Sequence, residues 1–488
     1  MSVPTLSPAP TLAEPRPLPL ITKLLYGVGE MPITVLMVLS GLFILFFYNS
    51  VMGLSPALVG IGLSASLVLD AVLDPYIGHL SDSTRHRFGR RHAFMLPGAL
   101  AMGPCFYLLF SPPRSLGHGA LFLWMLFWSI AVRVTSATYR IPYLGLGAEL
   151  SRDYDDRTRT MAIRSFFGLI GTLAATALSF LLFFPKTADG SEPKLHYAGY
   201  PHLGLAFGAL MSVSGLVCLF GTLSHRTSAA PKAASEPAAP HFLSAFRISM
   251  QNGPFRRIWF STTFFFLAVV LNFSLAINYF TWYAKISDGG VLSFIQTCFN
   301  LGALGGVVMW LVLSRRAEKR NLYLAGMVAT AVVLVCATLL IGQGRLFGTG
   351  NALPLMVGNA LAGIFASAYW VLPPSMVADV TDTDQLATGR RREGIYYGIM
   401  NFGEKIAAGG ALFLAGQLLG IFKKLSHGAV GQAGQPPVDI GYLGFLYGAV
   451  PAMLILISLA SLLSYRLDRR TVHGVQQQLA ARAAGGAL

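Results

Sequence analysis

The chain has 488 residues, of which 54% are hydrophobic and only 12% charged, and its mean hydropathy is +0.59. That balance excludes an ordinary soluble globule and marks a polytopic membrane protein. The net charge of +15 does not imply a nucleic-acid partner, because the basic residues sit in short loops between apolar segments, where topology explains them better.

The first 20 residues are rich in Pro, Ala and Ser and lack the basic start and short apolar core of a cleaved signal. Residues 1–23 therefore read as a cytoplasmic tail. From Leu24 onward, apolar runs long enough to span a bilayer recur, about 20 residues being needed for each. The expected spans are 24–50, 55–80, 92–112, 119–147, 160–184, 202–223, 257–284, 290–314, 322–342, 353–378, 394–422 and 440–465, twelve in all. The loops after spans two, four, six, eight and ten carry the basic clusters, such as Arg85, Arg87, Arg90 and Arg91 or Arg390 to Arg392. The intervening loops carry few, so the even loops and both termini are expected in the cytoplasm.

Thr227 to His241 is an Ala/Pro/Ser stretch without hydrophobic periodicity, which reads as a flexible linker. The expected organisation is an all-α membrane protein of two six-helix halves, 24–225 and 257–466, with a cytoplasmic linker at 226–256 and a cytoplasmic tail at 467–488. Two sixes joined in this way resemble the layout of the major facilitator fold. The four cysteines, Cys105, Cys218, Cys298 and Cys336, lie inside apolar runs without metal-ligand spacing and read as packing residues.

Asp70 and Asp74 lie four residues apart in the otherwise apolar second span, so both carboxylates fall on one helical face. Each charge costs about 2.5–3.5 kcal/mol on insertion scales, which calls for a compensating role. A cation or proton site facing a polar cavity is the leading reading. Pairing with Arg or Lys of neighbouring helices only to hold the bundle is the alternative.

Gly78-His79-Leu80-Ser81-Asp82 followed by Arg85, Gly89, Arg90 and Arg91 resembles the major facilitator signature between spans two and three. Gly78 would permit close helix approach, and Asp82 would pair with a basic side chain to latch a cytoplasmic gate. Three further stretches sharpen this: Asp70 to Gly78, Ile141-Pro142-Tyr143, and Val377-Ala378-Asp379-Val380 through Gly389 and Glu393-Gly394 to Lys405. Together they resemble the glycoside–pentoside–hexuronide:cation symporter family across approximately Lys23 to Arg470.

That resemblance implies a secondary active transporter, a cation-coupled symporter of a sugar, glycoside or uronate working by alternating access, with Na⁺ or H⁺ as coupling ion and no cofactor. It implies that Asp70 and Asp74 bind the cation, and that Arg140, Tyr143, Arg164, Trp370 and Lys405 belong to the substrate cavity. It also assigns Gly78, Asp82, Arg85, Gly89, Arg90, Arg91, Asp379 and Glu393 to the cytoplasmic gate. The chain departs from the family pattern at Ile33 and Thr34, where the family has a sugar-holding Lys-Asp pair. It departs again at Leu73 and Leu144, and at Arg140, which replaces an aspartate.

Two carboxylates opposed by Arg140 and Lys405 would be near neutral without a metal, since Arg stays charged. Alternatively Arg140 points into the cavity and holds an anionic substrate, or pairs with Glu149. Arg133 shares its helical face, and Glu30 on span one reads as an interfacial acid near the cytoplasmic end or, alternatively, as a cavity acid. Asp379, Asp382 and Asp384 with Arg392 read as a gate network reaching Arg152, Asp153, Asp155 and Asp156, or as solvated loop charge.

A polytopic enzyme is not expected: no metal-binding His-Glu-x-x-His and no Gly-Lys-Ser/Thr loop is present. A non-transporting receptor of the same fold is a third class. Within transport, a lysolipid or another amphipathic metabolite is the alternative substrate, because lysophosphatidylcholine symporters belong to the same wider family. The expected setting is the cell's inner membrane, as a multi-pass monomer with a small-molecule substrate.

Overall fold

No water reaches the interior of a bilayer, so each spanning segment must satisfy its own backbone groups, which an α-helix does internally. The computed structural model describes residues 18–84, 86–150, 154–185, 192–225, 242–389, 392–425 and 440–485. Among the described residues, twelve helices are long and apolar enough to cross a membrane. They are Leu20–Val51, Pro56–Ser81, His92–Leu109, His118–Gly147, Arg159–Phe183, Gly199–Thr222, Gly253–Tyr283, Gly289–Leu313, Lys319–Leu340, Ala352–Thr388, Glu393–Ile421 and Gly441–Leu462, called spans 1 to 12 below. No strand occurs among the described residues.

Span 10 outruns the expected end at residue 378, because a helix that has left the hydrocarbon can continue through polar sequence. It carries Asp379, Asp382 and Asp384 and stops only at Gly389, whose φ of 70° is a left-handed cap and whose N–H donates to the Gln385 carbonyl at 2.9 Å. Two shorter helices lie where the hydropathy reading expected linker and tail, Phe242–Gln251 and Arg469–Gly485. The Thr227 to His241 stretch and residues 1–17 lie outside the described residues.

Span 1 is broken at Gly29-Glu30, just before Pro32, whose ring nitrogen cannot donate to the preceding turn. The Tyr139 hydroxyl donates to the freed Gly29 carbonyl at 3.1 Å. Glu30 is thereby held at a break within the span. It sits ten residues from the start of the helix, about 15 Å along its axis.

The two groups of six spans meet through span 2 with 11, span 1 with 7, span 5 with 8 and, more slightly, span 1 with 11. At one end a single apolar core runs through all of them, joining Phe43, Phe180 and Phe184 to Tyr279, Leu292 and Leu412. Polar contacts reinforce this closure: the Ser293 hydroxyl donates to the Ala177 carbonyl, Asn300 Nδ2 donates to Thr176 Oγ1 at 3.2 Å, and Lys194 Nζ donates to the Ile286 carbonyl at 2.6 Å. Lys194 is fully buried in the loop between spans 5 and 6, and that burial pushes its ammonium below the usual lysine value.

At the opposite end, which carries the basic loops, the core divides in two. One part, around Tyr26, Met95, Tyr139 and Tyr143, lies within the first six spans. The other, around Phe255, Tyr323, Tyr369 and Tyr396, lies within the last six.

Spans 2 and 11 trace the divergence. At the closed end their backbones touch, so a Cβ on Gly416 would fall 2.4 Å from the Pro56 carbonyl oxygen and 2.7 Å from Gly60 Cα. At the basic end a Cβ on Gly398 or Gly394 would meet nothing within 4 Å, and one on Gly78 only Ile141 at 3.6 Å. The molecule is closed at the far end and splayed at the basic end.

Candidate transport site

Midway along the diverging spans, the helical repeat sets Asp70 directly above Asp74 on the face of span 2 that span 11 approaches. Lys405 of span 11 reaches both: its Nζ donates to Asp70 Oδ2 at 2.8 Å and also to Asp74 Oδ2. Arg140 of span 4 donates through Nη2 to Asp74 Oδ2 at 2.6 Å and stands 4.0 Å from Asp70 Oδ2. Glu149, the other partner considered for Arg140, is instead engaged by Arg90 and Arg91.

Arg133 donates through Nε to Ser66 Oγ at 3.0 Å, one turn before the acids. The opposite face of span 2 is apolar and outward, with Val68, Val72 and Tyr76 exposed by 62%, 66% and 63% against 9% for Asp70. Charge is turned inward and hydrocarbon outward, as a lipid solvent requires.

Two carboxylates facing one ammonium and one guanidinium sum to zero charge. Asp74 Oδ1 is the buried carboxylate oxygen here without a hydrogen bond, while Oδ2 of both acids is engaged by Lys405. A hard metal cation needs a shell of several oxygens, and with Oδ2 of both acids taken by Lys405 the pair offers it at most the two Oδ1 atoms. Among the described residues, no group of three or more His, Cys, Asp or Glu could hold a metal. As arranged, Oδ2 of each acid is committed to Lys405 and is not free for Na⁺.

A second ion pair lies within the first half. Arg164 of span 5 stands 3.5 Å, Nε to Oε2, from Glu30 at the break in span 1. Trp370 is 48% exposed and meets Tyr369 edge-on. Tyr143, expected to line the cavity, is instead fully buried, stacked on Tyr26 and Tyr139 with its hydroxyl donating to the Tyr26 carbonyl at 3.2 Å. Its position on span 4 turns it into the core of the first six spans.

The expected gate residues are divided between the two halves in this splayed form. Arg90 and Arg91 close on Glu149 at the end of span 4, after a turn at Gly89 with φ of 86°. Asp379 pairs with Lys319 at 2.6 Å, and Asp384 stands 3.9 Å from Arg392. Asp156 is paired with Lys23. Glu393 opens span 11 and Gly78 lies near the end of span 2. The side chain of Asp82, and Arg85, Arg152, Asp153, Arg390 and Arg391, lie outside the described residues, as does the side chain of Asp155.

One residue of the central layer escaped the sequence reading. Glu404, beside Lys405, accepts a hydrogen bond from the Tyr369 hydroxyl at 2.6 Å. The signal was available: an acid within a span deserves the same scrutiny as Asp70 and Asp74.

Two groups of six spans that share an apolar core at one end and hold ionised groups at their seam define a secondary carrier of the alternating-access class. The chain belongs to the family described as MFS/sugar transport protein, which it matches over residues 25–469. It is therefore an integral, multi-pass membrane transporter of small molecules and not an enzyme.

It is 24% identical to the isoprimeverose transporter of Lactiplantibacillus pentosus, over 88% of this chain and 84% of that one. It is also 24% identical to sodium-dependent lysophosphatidylcholine symporter 1-B of Danio rerio, over 94% and 89% respectively. A bacterial homologue of the human lysosomal transporter Spinster, solved inward-facing and unoccupied, shares the fold with a TM-score of 0.62 at 15% identity, over 91% of this chain and 93% of that one.

Proposed function

We propose that this chain is a cation-coupled symporter of a sugar, glycoside or uronate that alternates access by rocking residues 24–225 against residues 257–466. The observation that carries the reading is Lys405 of the second half grasping Asp70 and Asp74 of the first, at the level where the shared core gives way to two separate ones. That bridge ties the halves together through ionised groups whose partners a bound cation or substrate can exchange. Positive-inside bias makes the splayed end cytoplasmic, with both termini on that side of a cell inner membrane, so the form described is inward-open.

Arg140, Arg164 and Trp370 supply a bidentate cation, a second cation and an aromatic face, a set suited to a uronate or another oxygen-rich ring. Gly78, Asp82, Arg85, Gly89, Arg90, Arg91, Asp379 and Glu393 form the cytoplasmic gate when this end closes, and the carrier works as a monomer.

The test is uptake by the purified chain in proteoliposomes, with a panel of sugars, xylosyl and other glycosides, uronates and lysophosphatidylcholine under Na⁺ or pH gradients. Accumulation of a sugar, glycoside or uronate under one gradient, lost in Asp74→Asn at matched incorporation, is the expected result. Equal equilibration of every compound with and without gradients overturns it.

A lysolipid is the second reading. Leu144 is 39% exposed one turn beyond Arg140, so an anionic head on Arg140 would leave an acyl chain beside apolar surface. The Thr34 hydroxyl, at a position the sugar-binding pattern makes acidic, stays within hydrogen-bonding distance of the Glu30 and Met31 carbonyls. Accumulation of lysophosphatidylcholine alone selects this reading.

A further inference from the structure

Glu30, Asp70, Asp74 and Glu404 are carboxylates set within spans 1, 2 and 11, and three of them have cations: Arg164 for Glu30, and Lys405 with Arg140 for the aspartates. Glu404 has none among the described residues. Its Oε1 accepts from Tyr369, whose ring is 5% exposed and stacked against both Phe265 and Phe266.

Among the described residues, no ion pair joins Glu404 to the elements packed around span 11, and span 1, which touches it least, carries no charged residue between Met31 and Phe46. Span 2 offers Asp70 and Asp74, already engaged by Lys405 and Arg140. Span 7 offers Thr263, beside Gly403, and Trp259, whose Nε1 donates to the Ile399 carbonyl; its arginines stand at its start, Arg256 exposed and donating to the Met250 carbonyl and Arg257 beside it, about two turns before Thr263. Span 10 offers Tyr369, with Tyr323 of span 9 behind Phe265. The helix Phe242–Gln251 offers only Arg247, which is exposed. Lys405, the next residue along, is turned to the aspartates.

A carboxylate in the hydrocarbon layer without a countercharge is relieved by taking up a proton. We infer that Glu404, held by Tyr369, is a proton-binding site of the second half, and that the cation moved with substrate is H⁺ loaded there, not Na⁺ at Asp70 and Asp74. The inference rests on the symport reading above and specifies its ion.

A proton from water on one side adds to a Glu404 carboxylate oxygen, giving the neutral acid. On the other side that O–H bond breaks, the proton returns to water and the carboxylate is restored, so one proton crosses per cycle. Tyr369 and Trp370 are consecutive and in ring contact, which couples the charge on Glu404 to the aromatic face of the cavity. The Asp70–Asp74–Lys405–Arg140 cluster acts as the joint between the halves.

The test is infrared difference spectroscopy of the full-length protein in lipid, titrated in pH at constant Na⁺ and in Na⁺ at constant pH. The carbonyl stretch of a protonated carboxyl group at neutral pH, absent from Glu404→Gln and shifted in frequency and midpoint in Tyr369→Phe, is expected. A protonated-carboxyl band that persists in Glu404→Gln, or no such band at neutral pH, overturns the assignment. So does a Na⁺-induced carboxylate change equal in the wild type and Glu404→Gln. None of these readouts requires transport, so failure of the symport reading in the uptake panel is recognisable separately.

Discussion

Spans 2 and 11 are neighbours, yet their two ends are built differently. Where Gly60 lies against Gly416 the backbones touch, within an apolar core shared by both halves. Toward Gly78 and Gly398 the space between them is open, and the ion pairs described there, Arg90 and Arg91 with Glu149, Lys23 with Asp156 and Lys319 with Asp379, each stay inside one half. A closed end can be made from close packing, which needs exact fit but no charge. An end that must open keeps its charges satisfied locally, so separation leaves no buried ion unpaired.

Between the two ends, Lys405 is the joint. Lys405→Ala leaves Asp70 and Asp74 with Arg140 alone, and removing one partner of a buried ion pair costs about 3–5 kcal/mol. We expect the largest fall in thermal stability in lipid nanodiscs for this variant, and an unchanged melting curve would remove the joint from the account.

Next comes Lys194→Met, which deletes the charged donor that ties the loop between spans 5 and 6 to Ile286 of the second half. A hydrogen bond from a charged group is worth about 1.5–3 kcal/mol, so the closed end should loosen by that order. Faster labelling of a cysteine placed in the loop between spans 7 and 8, read by a membrane-impermeant thiol reagent, would register it.

The glycine pair sets the two ends directly against each other. Gly416→Ala should cost about 1–3 kcal/mol by overpacking against Pro56 and Gly60. Gly398→Ala, in open space on a helix, should gain up to about 1 kcal/mol while slowing transport, because its Cβ obstructs closure of the basic end. Equal destabilisation by both substitutions would mean that the ends do not differ in packing.

The smallest effect concerns the C-terminal helix Arg469–Gly485, docked on span 10 through Arg482 to the Leu386 carbonyl at 2.9 Å and Gln476 to Asp382 at 3.1 Å. Asp468 caps that helix by accepting from the Thr471 N–H at 2.9 Å, and hydrogen bonding from Thr471 holds its carboxyl below the ordinary 3.8. A depressed acid stabilises fully above 3.8 and loses that contribution as pH falls through its lower folded value. Hydrogen exchange over residues 469–485 should accelerate in that acid window, with little change at the closed end.

Much of this molecule was legible along the chain. Hydropathy located all twelve spans within a few residues, missing only how far span 10 runs beyond the membrane. The spacing of Asp70 and Asp74 put them on one face without reference to any neighbour. The pairing of Glu30 with Arg164 was not legible because the two residues lie on different spans. Tyr143 was assigned to the cavity because the Ile-Pro-Tyr motif does not reveal that its ring turns into the core.

Local order along the chain determined the class, the number of spans and the presence of acids in the hydrocarbon layer. A bilayer sorts short stretches of chain by their own polarity, so composition within a stretch is enough. Which cation meets which acid was decided only in three dimensions. Lys405 is 335 residues from Asp70, and the same packing that joins them leaves Glu404 with a tyrosine in place of a countercharge. Contacts of that range depend on how twelve helices settle against one another, a balance of packing and charge that no single segment carries.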